Sequence, residues 1–317
     1  MIVYELSKET IEDAVKLIKS SLTEDTGSSE LKSGIDCTTD SIVPHDSTAS
    51  AAFVSRKSGV VSGVEVAKLV AEKFAPSVEL TQSIADGESV EPKQTIATLS
   101  GPAHDILTIE RTCLNFMCRL SGISTLARGF VDRVSGTKAQ VLDTRKTTPG
   151  WRRLEKYAVA CGGGTNHRMG LYDAVMLKDN HLAFFRSQVE DDDKVIPKAL
   201  AQSRKWIMDN ASRLPNADKT ILQLEVDTIE QFEISILESN ETVPDIVLLD
   251  NMTTDQLSAA VKIRDEKSPN VLLEASGGVN LDTIAGIAAT GVDRISVGAL
   301  THSAINFDIG LDWLSRG

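Results

Sequence analysis

The sequence predicts an α/β and α+β protein, in which an open α/β barrel follows a smaller domain of helices and strands. From Ala139 onward, short apolar runs alternate with helical segments, a pattern typical of βα units around a parallel sheet. The residues before that point mix β-rich and helical stretches. The chain has 317 residues, which fits one large barrel or a barrel with a companion domain.

The first part of the chain is predicted to contain three helices and several short strands. In chain order these are a helix over 9–22, a loop over 24–44, paired strands over 47–63, a helix over 64–74 and strands over 78–102. Asp86-Gly87 supplies a turn within the last stretch. A further helix over 108–120 has one apolar stripe, with Arg111 on the opposite side, and closes the first domain.

The second part contains six predicted strands, fewer than the eight of a complete barrel. The strands are 139–143, 173–179, 220–227, 246–251, 271–278 and 294–300. A short extra strand over 165–168 raises the number to seven. The intervening helices are predicted near 152–161, 194–210, 229–238, 254–267 and 281–290.

Composition excludes several classes of protein. No stretch approaches the roughly 20 apolar residues that span a bilayer, and the amino terminus lacks a basic flank, an apolar run and a cleavage site. We therefore expect no membrane partner and a cytoplasmic location. The four cysteines lack paired spacing, so we interpret them as small buried apolar residues in a reducing compartment.

Charge is distributed unevenly along the chain. The formal net charge of -12 argues against nucleic acid as a partner, because phosphate backbones require a basic surface. One stretch is nevertheless basic; it contains Arg145, Lys146, Arg152, Arg153, Lys156, His167, Arg168 and Lys178. Such a concentration in an acidic protein indicates a site for a small anion.

Polar residues follow nearly every predicted strand of the second part. In parallel barrels the active site lies at the carboxyl ends of the strands, so these residues are candidates by position. They are Asp143, Thr144, Arg145, Lys146, Lys178, Asp179, Glu225, Asp227, Asp250, Asn251, Glu274, Ser276, Gly277, Gly278 and Gly298. Any one of them could equally be a strand cap or a structural ion pair. Together they favour a site.

The candidates divide by charge. Arginine, lysine and histidine suit carboxylates and phosphates, whereas Glu225 and Asp250 suit sugar hydroxyls and Mg²⁺, bound directly or through water. The turn at Ser276–Gly278 lies just before a predicted helix, where main-chain N–H groups bind phosphate, and Gly298 completes this cradle. Asp191, Asp192 and Asp193 form an alternative acidic metal cluster, but such a run is more often a solvated surface.

Longer motifs resemble one family. The segments ERTCLNFMCRLSGISTLARG, DTRKTTPGWRRLEKYAVACGGGTNHRMGLYDAVMLKDNH, LLDN and LEASGGVN are similar to those of the quinolinate phosphoribosyltransferases. The resemblance covers most of the chain, from Glu24-Asp25 to the last strand. It implies transfer of phosphoribose from phosphoribosyl pyrophosphate to quinolinate with decarboxylation, which gives nicotinate mononucleotide, pyrophosphate and CO2 for NAD biosynthesis.

The resemblance also implies an architecture. An N-terminal α/β sandwich over 1–117, joined by the tail 302–317, stands beside an open barrel over 118–301. The family forms homodimers in which one subunit's sandwich covers the partner's barrel mouth, so Arg111 serves the neighbouring site. Higher oligomers remain open.

The resemblance assigns roles residue by residue. Quinolinate carboxylates are bound by Arg111, Arg145, His167, Arg168 and Lys178, with Thr144 beside them. Lys146 and Lys178 also reach the pyrophosphate, Glu225 and Asp250 hold the ribose hydroxyls and Mg²⁺, and Ser276, Gly277, Gly278 and Gly298 bind the 5-phosphate. The catalytic residues are Lys146, Lys178, Glu225 and Asp250, and no organic cofactor is expected. Arg111→Ala and Lys146→Ala are expected to fold but to lose activity.

Two segments depart from the family pattern, an insertion at 28–35 and an extension over 184–220.

Other activities also remain open. A nicotinate phosphoribosyltransferase or a molybdenum-associated relative shares the predicted fold, and a barrel aldolase would use Lys178 as a Schiff-base lysine. A non-catalytic binding protein with the same fold is the alternative outside enzymes.

Overall fold

In a computed structural model of the chain, the described residues are 4–215, 220–237 and 243–316. The predicted helix end at Glu238, residues 216–219 of the extended segment and Gly317 of the tail lie outside them. The described residues form two compact units. The first unit lies within 1–128, 146–164 and 300–317, and the second unit lies within 129–145 and 165–299. The predicted ranges 1–117 and 118–301 were drawn from resemblance and stay a prediction.

The first unit combines helices with short antiparallel strands. Its elements are α1 (Lys8–Thr26), α2 (Cys37–Ile42), β1 (Thr48–Ser55), β2 (Gly59–Val60), α3 (Val64–Phe74), β3 (Glu79–Gln82), β4 (Ser89–Val90), β5 (Thr95–Pro102), the start of α4 (Ala103–Arg133), α5 (Arg152–Cys161), α11 (Ala299–His302) and β12 (Ile309–Arg316). The main sheet has the order β12-β1-β5-β3, and β2 pairs with β4. The C-terminal strand therefore pairs with the first strand of the chain, with Leu311 opposite Phe53.

Two predictions for this unit differ from the structure in extent. The loop predicted over 24–44 contains α2, because the Asp36 carboxylate caps this helix by accepting a hydrogen bond from the Thr39 amide at 3.0 Å. Helix α4 is longer than the predicted 108–120, because its buried residues continue from Ile106 to Phe130. The apolar stripe of α1 is confirmed, with Ala14, Ile18 and Leu22 fully buried.

The second unit is built around a parallel sheet. Its elements are the end of α4, β6 (Gln140–Leu142), β7 (Val175–Leu177), α6 (Asp179–Arg186), α7 (Val195–Asp209), β8 (Leu222–Val226), α8 (Ile229–Ile236), β9 (Ile246–Asp250), α9 (Thr254–Lys267), β10 (Leu272–Ser276), α10 (Ile284–Ala289) and β11 (Arg294–Ser296). The six strands have the order β6-β11-β10-β9-β8-β7. This arrangement confirms the predicted open barrel.

The predicted seventh strand is reduced to one backbone bridge between Leu142 and Thr165. Arg168, three residues further on, donates from its guanidinium to the Ala174 carbonyl at 3.0 Å, just before β7. A side chain thus connects this segment to β7 where a complete barrel would have a backbone ladder. Helix α6 was not predicted, and α10 begins at Ile284 although the helix was predicted from Leu281.

Candidate active site

Polar side chains collect at one edge of the parallel sheet. Because β6 to β11 run in the same direction, the residues that end these strands lie at the same edge. In the second unit these are Thr144, Arg145, Lys178, Glu225, Asp250, Ser276 and Gly298. Register places Glu225 opposite Leu248 and Ser276 opposite Asp250, so Glu225 and Asp250 share a face of neighbouring strands.

Two arginines of this edge lie within each other's electrostatic field. Burial lowers the pKa of Arg168, and the positive charge of Arg145 lowers it further. Arg168 is half-buried and held by the Ala174 carbonyl and, at 3.3 Å, by the Met176 sulfur. Two cations held close together repel each other, and an anion between them removes that cost.

Lys178 and Glu225 form an ion pair across β7 and β8. The Glu225 side chain is 14% exposed and the Lys178 side chain 40% exposed, so Lys178 retains access to solvent. On the next strand, Asp250 accepts a hydrogen bond from the Asn251 side-chain Nδ2 at 2.6 Å. The edge therefore presents a cation beside two half-buried carboxylates.

The turn after β10 has backbone geometry that glycine favours. Gly277 and Gly278 have φ values of 90° and 61°. A Cβ on Gly277 would lie 2.1 Å from Asn251 Oδ1, whereas nothing lies within 4 Å of a Cβ on Gly278. Gly278 thus borders open space. The helix predicted to start near Leu281 begins at Ile284, because an Asn280 turn separates these glycines from α10.

The loop after β6 is held by a buried glutamate in the first unit. Glu155 is fully buried and accepts hydrogen bonds from the Thr148 amide at 3.1 Å and from the Thr148 hydroxyl at 2.9 Å. Arg119 pairs with the same carboxylate at 2.7 Å. The Thr301 hydroxyl donates to the Lys146 carbonyl at 2.8 Å, so the backbone that carries Lys146 is fixed at two points.

The remaining basic residues of the predicted anion site lie in the first unit. Arg153 pairs with Asp13 at 3.2 Å, Arg152 donates to Thr147 at 3.0 Å, and Lys156 is fully buried. These two contacts and the buried lysine all lie within the first unit. Arg111 is exposed on α4. The basic stretch of the sequence is therefore divided between the two units.

Sequence reasoning assigned no role to two buried carboxylates beside His167. Asp143 and Glu274 are both fully buried. Asp143 accepts a hydrogen bond from the His167 amide at 2.9 Å, and Glu274 contacts His167 Nε2 at 3.2 Å and Arg294 Nε at 2.8 Å. Both were recognisable as acids that end apolar strands, but their partners are distant in sequence.

Among the described residues, no group of three or more His, Cys, Asp or Glu side chains is arranged to hold a metal ion. Asp191 caps a short turn and pairs with Lys194 at 3.2 Å, which favours the solvated-surface interpretation of the acidic run.

Two predictions made from composition can be compared with the structure. Of the cysteines predicted to be buried, Cys37 is exposed. No described helix combines the length and the apolarity required to cross a membrane.

A parallel open barrel with cations, two carboxylates and a glycine turn at its carboxyl edge is typical of enzymes that bind phosphorylated anions. The chain matches the family models "Quinolinate phosphoribosyl transferase, N-terminal domain" over residues 36–121 and "Quinolinate phosphoribosyl transferase, C-terminal domain" over residues 123–312. The chain belongs to the quinolinate phosphoribosyl transferase family.

Characterised and solved relatives agree with this membership. The nicotinate-nucleotide pyrophosphorylase [carboxylating] of Mycobacterium leprae is 41% identical over 285 residues, which are 89% of this chain and 93% of the relative. The solved nicotinate-nucleotide pyrophosphorylase of Francisella tularensis is 34% identical with a TM-score of 0.82, over 96% of this chain and 97% of that one. The corresponding structure from Ehrlichia chaffeensis is 37% identical with a TM-score of 0.79, over 94% and 98%.

A more distant structure shares only the fold. Human nicotinic acid phosphoribosyltransferase is 13% identical with a TM-score of 0.59, over 88% of this chain and 73% of that one. The monocarboxylate enzyme is therefore a fold relative, and its activity does not transfer to this chain.

Proposed function

We propose that this chain transfers phosphoribose from phosphoribosyl pyrophosphate to quinolinate and decarboxylates the product to nicotinate mononucleotide, releasing pyrophosphate and CO2. Membership of the family supports this function, since relatives named for it align over most of the chain. The observation that carries it is the electrostatic proximity of Arg145 to Arg168, which also lies in the field of Glu225, the ion-pair partner of Lys178, because a dicarboxylate requires more than one cation.

The quinolinate carboxylates would lie against Arg145, Arg168 and Lys178, with Thr144 beside them. The resemblance adds His167 to this set, and Arg111 from the partner subunit. Arginine is suited to carboxylates because its planar guanidinium donates two parallel hydrogen bonds. Fixing both carboxylates orients the pyridine nitrogen toward the sugar, which lowers the entropy cost of the reaction.

Phosphoribosyl pyrophosphate would extend across the strand ends. Ser276, Gly277, Gly278 and Gly298 would bind the 5-phosphate, Glu225 and Asp250 the ribose hydroxyls, and Lys146 and Lys178 the pyrophosphate. The open space above Gly278 supports this placement of the 5-phosphate.

Glu225 and Asp250 are also the residues that fit Mg²⁺. This ion keeps several waters and is usually bound by one or two carboxylates together with substrate phosphates, so two carboxylates on one face suffice. When bound, Mg²⁺ would neutralise charge on the pyrophosphate. The chemistry requires no organic cofactor.

The protein contributes positioning and charge to the reaction. As the bond from the anomeric carbon to pyrophosphate breaks, Lys146 and Lys178 stabilise the charge on the leaving group, and the quinolinate nitrogen forms the new bond. The ring nitrogen then carries a positive charge that stabilises the carbanion left when CO2 departs. A proton from solvent completes nicotinate mononucleotide. Arg145 and Arg168 hold the carboxylate that stays.

We further propose a cytoplasmic homodimer in which Arg111 of each subunit serves the partner's site. Arg111 is exposed on α4, so its guanidinium is accessible to a partner subunit, as this proposal requires.

The deciding experiment is a coupled assay of purified protein with quinolinate, phosphoribosyl pyrophosphate and Mg²⁺, which follows nicotinate mononucleotide and CO2, with nicotinate in parallel. Turnover of quinolinate alone supports the proposal. Lys178→Ala should lower kcat/KM at least about 100-fold. Lys205→Ala, which removes a surface lysine paired with Asp209, is the matched control and should retain activity.

Other outcomes would identify the alternatives. Turnover of nicotinate alone would indicate the monocarboxylate enzyme, and substrate binding without turnover would indicate a binding protein. A Schiff-base aldolase needs a neutral amine at Lys178, whereas the Glu225 ion pair suits a charged ammonium. Borohydride trapping of a carbonyl substrate on Lys178 would nevertheless establish that activity.

A further inference from the structure

Two fully buried carboxylates hold the segment that carries His167 and Arg168. The Thr165 amide donates to the Val141 carbonyl at 2.8 Å, and two residues later the His167 amide donates to Asp143 Oδ1 at 2.9 Å. Glu274 holds the same segment from β10 through the His167 ring. The segment has only one backbone bridge to the sheet, so these side chains determine its position.

The His167 imidazole is committed at both nitrogens. Nδ1 accepts a hydrogen bond from the Arg168 amide at 2.7 Å, and Nε2 lies 3.2 Å from Glu274 Oε1. Because Nδ1 accepts, it carries no proton, and the proton lies on Nε2, which donates to Glu274. The side chain is 8% exposed. The ring therefore connects the buried carboxylate to the backbone of Arg168.

We propose that Glu274 is a positioning residue for quinolinate: it fixes the His167 ring, and the ring fixes the backbone of Arg168, whose guanidinium binds a substrate carboxylate. This inference rests on the proposed function. It assigns His167 the role of orienting Arg168, whether or not the ring also contacts the substrate. Arg168 Nη1 donates to the Ala174 carbonyl at 3.0 Å, so its guanidinium is also held from β7.

A carboxylate is required at position 274 because its neighbours are all donors. Oε1 accepts from His167 and from the Ser296 hydroxyl, and Oε2 accepts from Arg294 Nε at 2.8 Å. A glutamine has one acceptor oxygen and one donor amide. In either orientation the amide faces a donor, so either Arg294 loses its acceptor or the His167 proton must move to Nδ1. The second outcome breaks the contact with the Arg168 amide.

The charge state of Glu274 agrees with this role. Burial raises its pKa, but the hydrogen bond from His167, the electrostatic attraction of the same ring, the charge of Arg294 and the Ser296 hydroxyl outweigh burial and lower the pKa to about 2. The carboxylate therefore remains ionised at any pH at which the enzyme would work. A permanent acceptor keeps the imidazole in one tautomer.

The test compares Glu274→Gln with Ser296→Ala, which removes a different partner of the same carboxylate. We expect Glu274→Gln to raise KM for quinolinate about tenfold or more while KM for phosphoribosyl pyrophosphate changes less than about twofold. Ser296→Ala should change neither by more than about twofold. Equal increases in both KM values, or equal effects of the two variants, would overturn the proposal.

Two additional variants keep the test decisive. Glu274→Asp retains the buried charge but withdraws it by one methylene, so it should fold and show the same selective rise in the KM for quinolinate. In a His167→Ala background, Glu274→Gln should have no further effect, because the effect of Glu274 passes through the ring. Additive losses would show that Glu274 acts independently of His167 and would contradict the inference.

A spectroscopic readout separates this inference from the proposed activity. In protein labelled with nitrogen-15 at histidine, with His167→Gln used to assign the signal, we expect an unprotonated Nδ1 in the wild type and a changed tautomer in Glu274→Gln. If the wild type fails to turn over quinolinate, the proposed function fails, and the tautomer still decides whether Glu274 orients the ring. An unchanged tautomer in Glu274→Gln would overturn the inference.

Discussion

Gly277 and Gly278 are adjacent residues with similar backbone angles and different surroundings. A Cβ on Gly277 would lie 2.1 Å from Asn251 Oδ1 and 2.9 Å from the Asn251 backbone nitrogen, which cannot move independently. A Cβ on Gly278 would meet nothing within 4 Å. Both substitutions cost about 1–2 kcal/mol for the left-handed backbone, but only Gly277→Ala adds a clash.

We therefore expect Gly277→Ala to lower the free energy of unfolding by about 3 kcal/mol and Gly278→Ala by about 1 kcal/mol, as measured by urea denaturation. Because Gly278 borders the proposed phosphate position, its alanine variant should fold yet raise KM for phosphoribosyl pyrophosphate about tenfold. If Gly278→Ala left that KM unchanged, the phosphate would lie elsewhere.

Glu274 should make the stability of the protein sensitive to acid. Its pKa is about 2 in the folded protein, against 4.5 for an ordinary glutamate. Since the folded pKa is depressed, the associated stability is fully present above about pH 4.5 and is lost as the pH falls toward 2. Within that window the wild type should lose about 1.4 kcal/mol more per pH unit than Glu274→Gln.

Urea denaturation of both proteins between pH 3 and 6 measures this difference. At neutral pH the wild type should be more stable than the variant, and the two curves should converge as the pH falls. Parallel curves would mean that the folded pKa of Glu274 is not depressed, and would weaken the case for a permanently charged acceptor at this position.

The sequence predicted the site at residue level only in part. Lys178, Glu225 and Asp250 follow apolar runs, and this pattern alone is enough to place them at strand ends. The importance of Glu274 could not be predicted, because it depends on the ring of His167, on a segment without a regular strand. A local pattern cannot reveal a contact between residues so far apart in the chain.

Helix α3 begins at a buried carboxylate supplied by another segment. Asp86, predicted as a turn residue, accepts hydrogen bonds from the Gly63 amide at 3.0 Å and from the Val64 amide at 2.9 Å. The Tyr157 hydroxyl donates to it at 2.8 Å. Asp86 is 4% exposed, so no solvent replaces these bonds when the side chain is removed.

Asp86→Ala should therefore lower the free energy of unfolding by about 2–3 kcal/mol, because two helix amides lose their acceptor in a buried position. Tyr157→Phe is the matched control, since it removes the hydroxyl that contacts Asp86 but leaves both helix contacts, and should cost about 1 kcal/mol. Urea denaturation measures both. Equal losses would show that the helix cap contributes little.

Elements with a buried stripe were predictable, and those without one were not. The apolar spacing of α1 corresponds to its buried residues, whereas α6 has none and gave no periodic signal. In α4 the prediction ended at Leu120, two residues before Gly122. That glycine is needed for packing, because a Cβ there would lie 2.1 Å from the Ile305 carbonyl oxygen. A residue that usually ends helices here lies inside one.

The units of the whole molecule are not continuous in sequence. Residues 146–164, including α5, group with the first unit although they lie between two strands of the parallel sheet. The contacts of Arg153 with Asp13 and of Tyr157 with Asp86 account for this grouping. Periodicity identifies helix α5 but not the unit against which it packs, since that choice depends on side chains far away in the chain.

Arg111 allows the proposed shared site to be tested at the level of the assembly. If each site combines Arg111 of one subunit with Lys178 of the other, Arg111→Ala and Lys178→Ala homodimers both lack complete sites. Unfolding and refolding an equal mixture would form half of the dimers as hybrids, each with one intact site. About a quarter of the wild-type activity should then return.

The control for this experiment mixes two variants whose altered residues both belong to the same subunit's contribution to a site. A mixture of Lys178→Ala with Glu225→Gln should remain inactive after the same treatment, because these residues form one ion pair within a subunit and no hybrid has an intact site. Recovery only in the mixture with Arg111→Ala would locate Arg111 in the partner's site. Failure of that mixture, with both variants folded and dimeric, would mean that Arg111 acts within its own subunit or not at all.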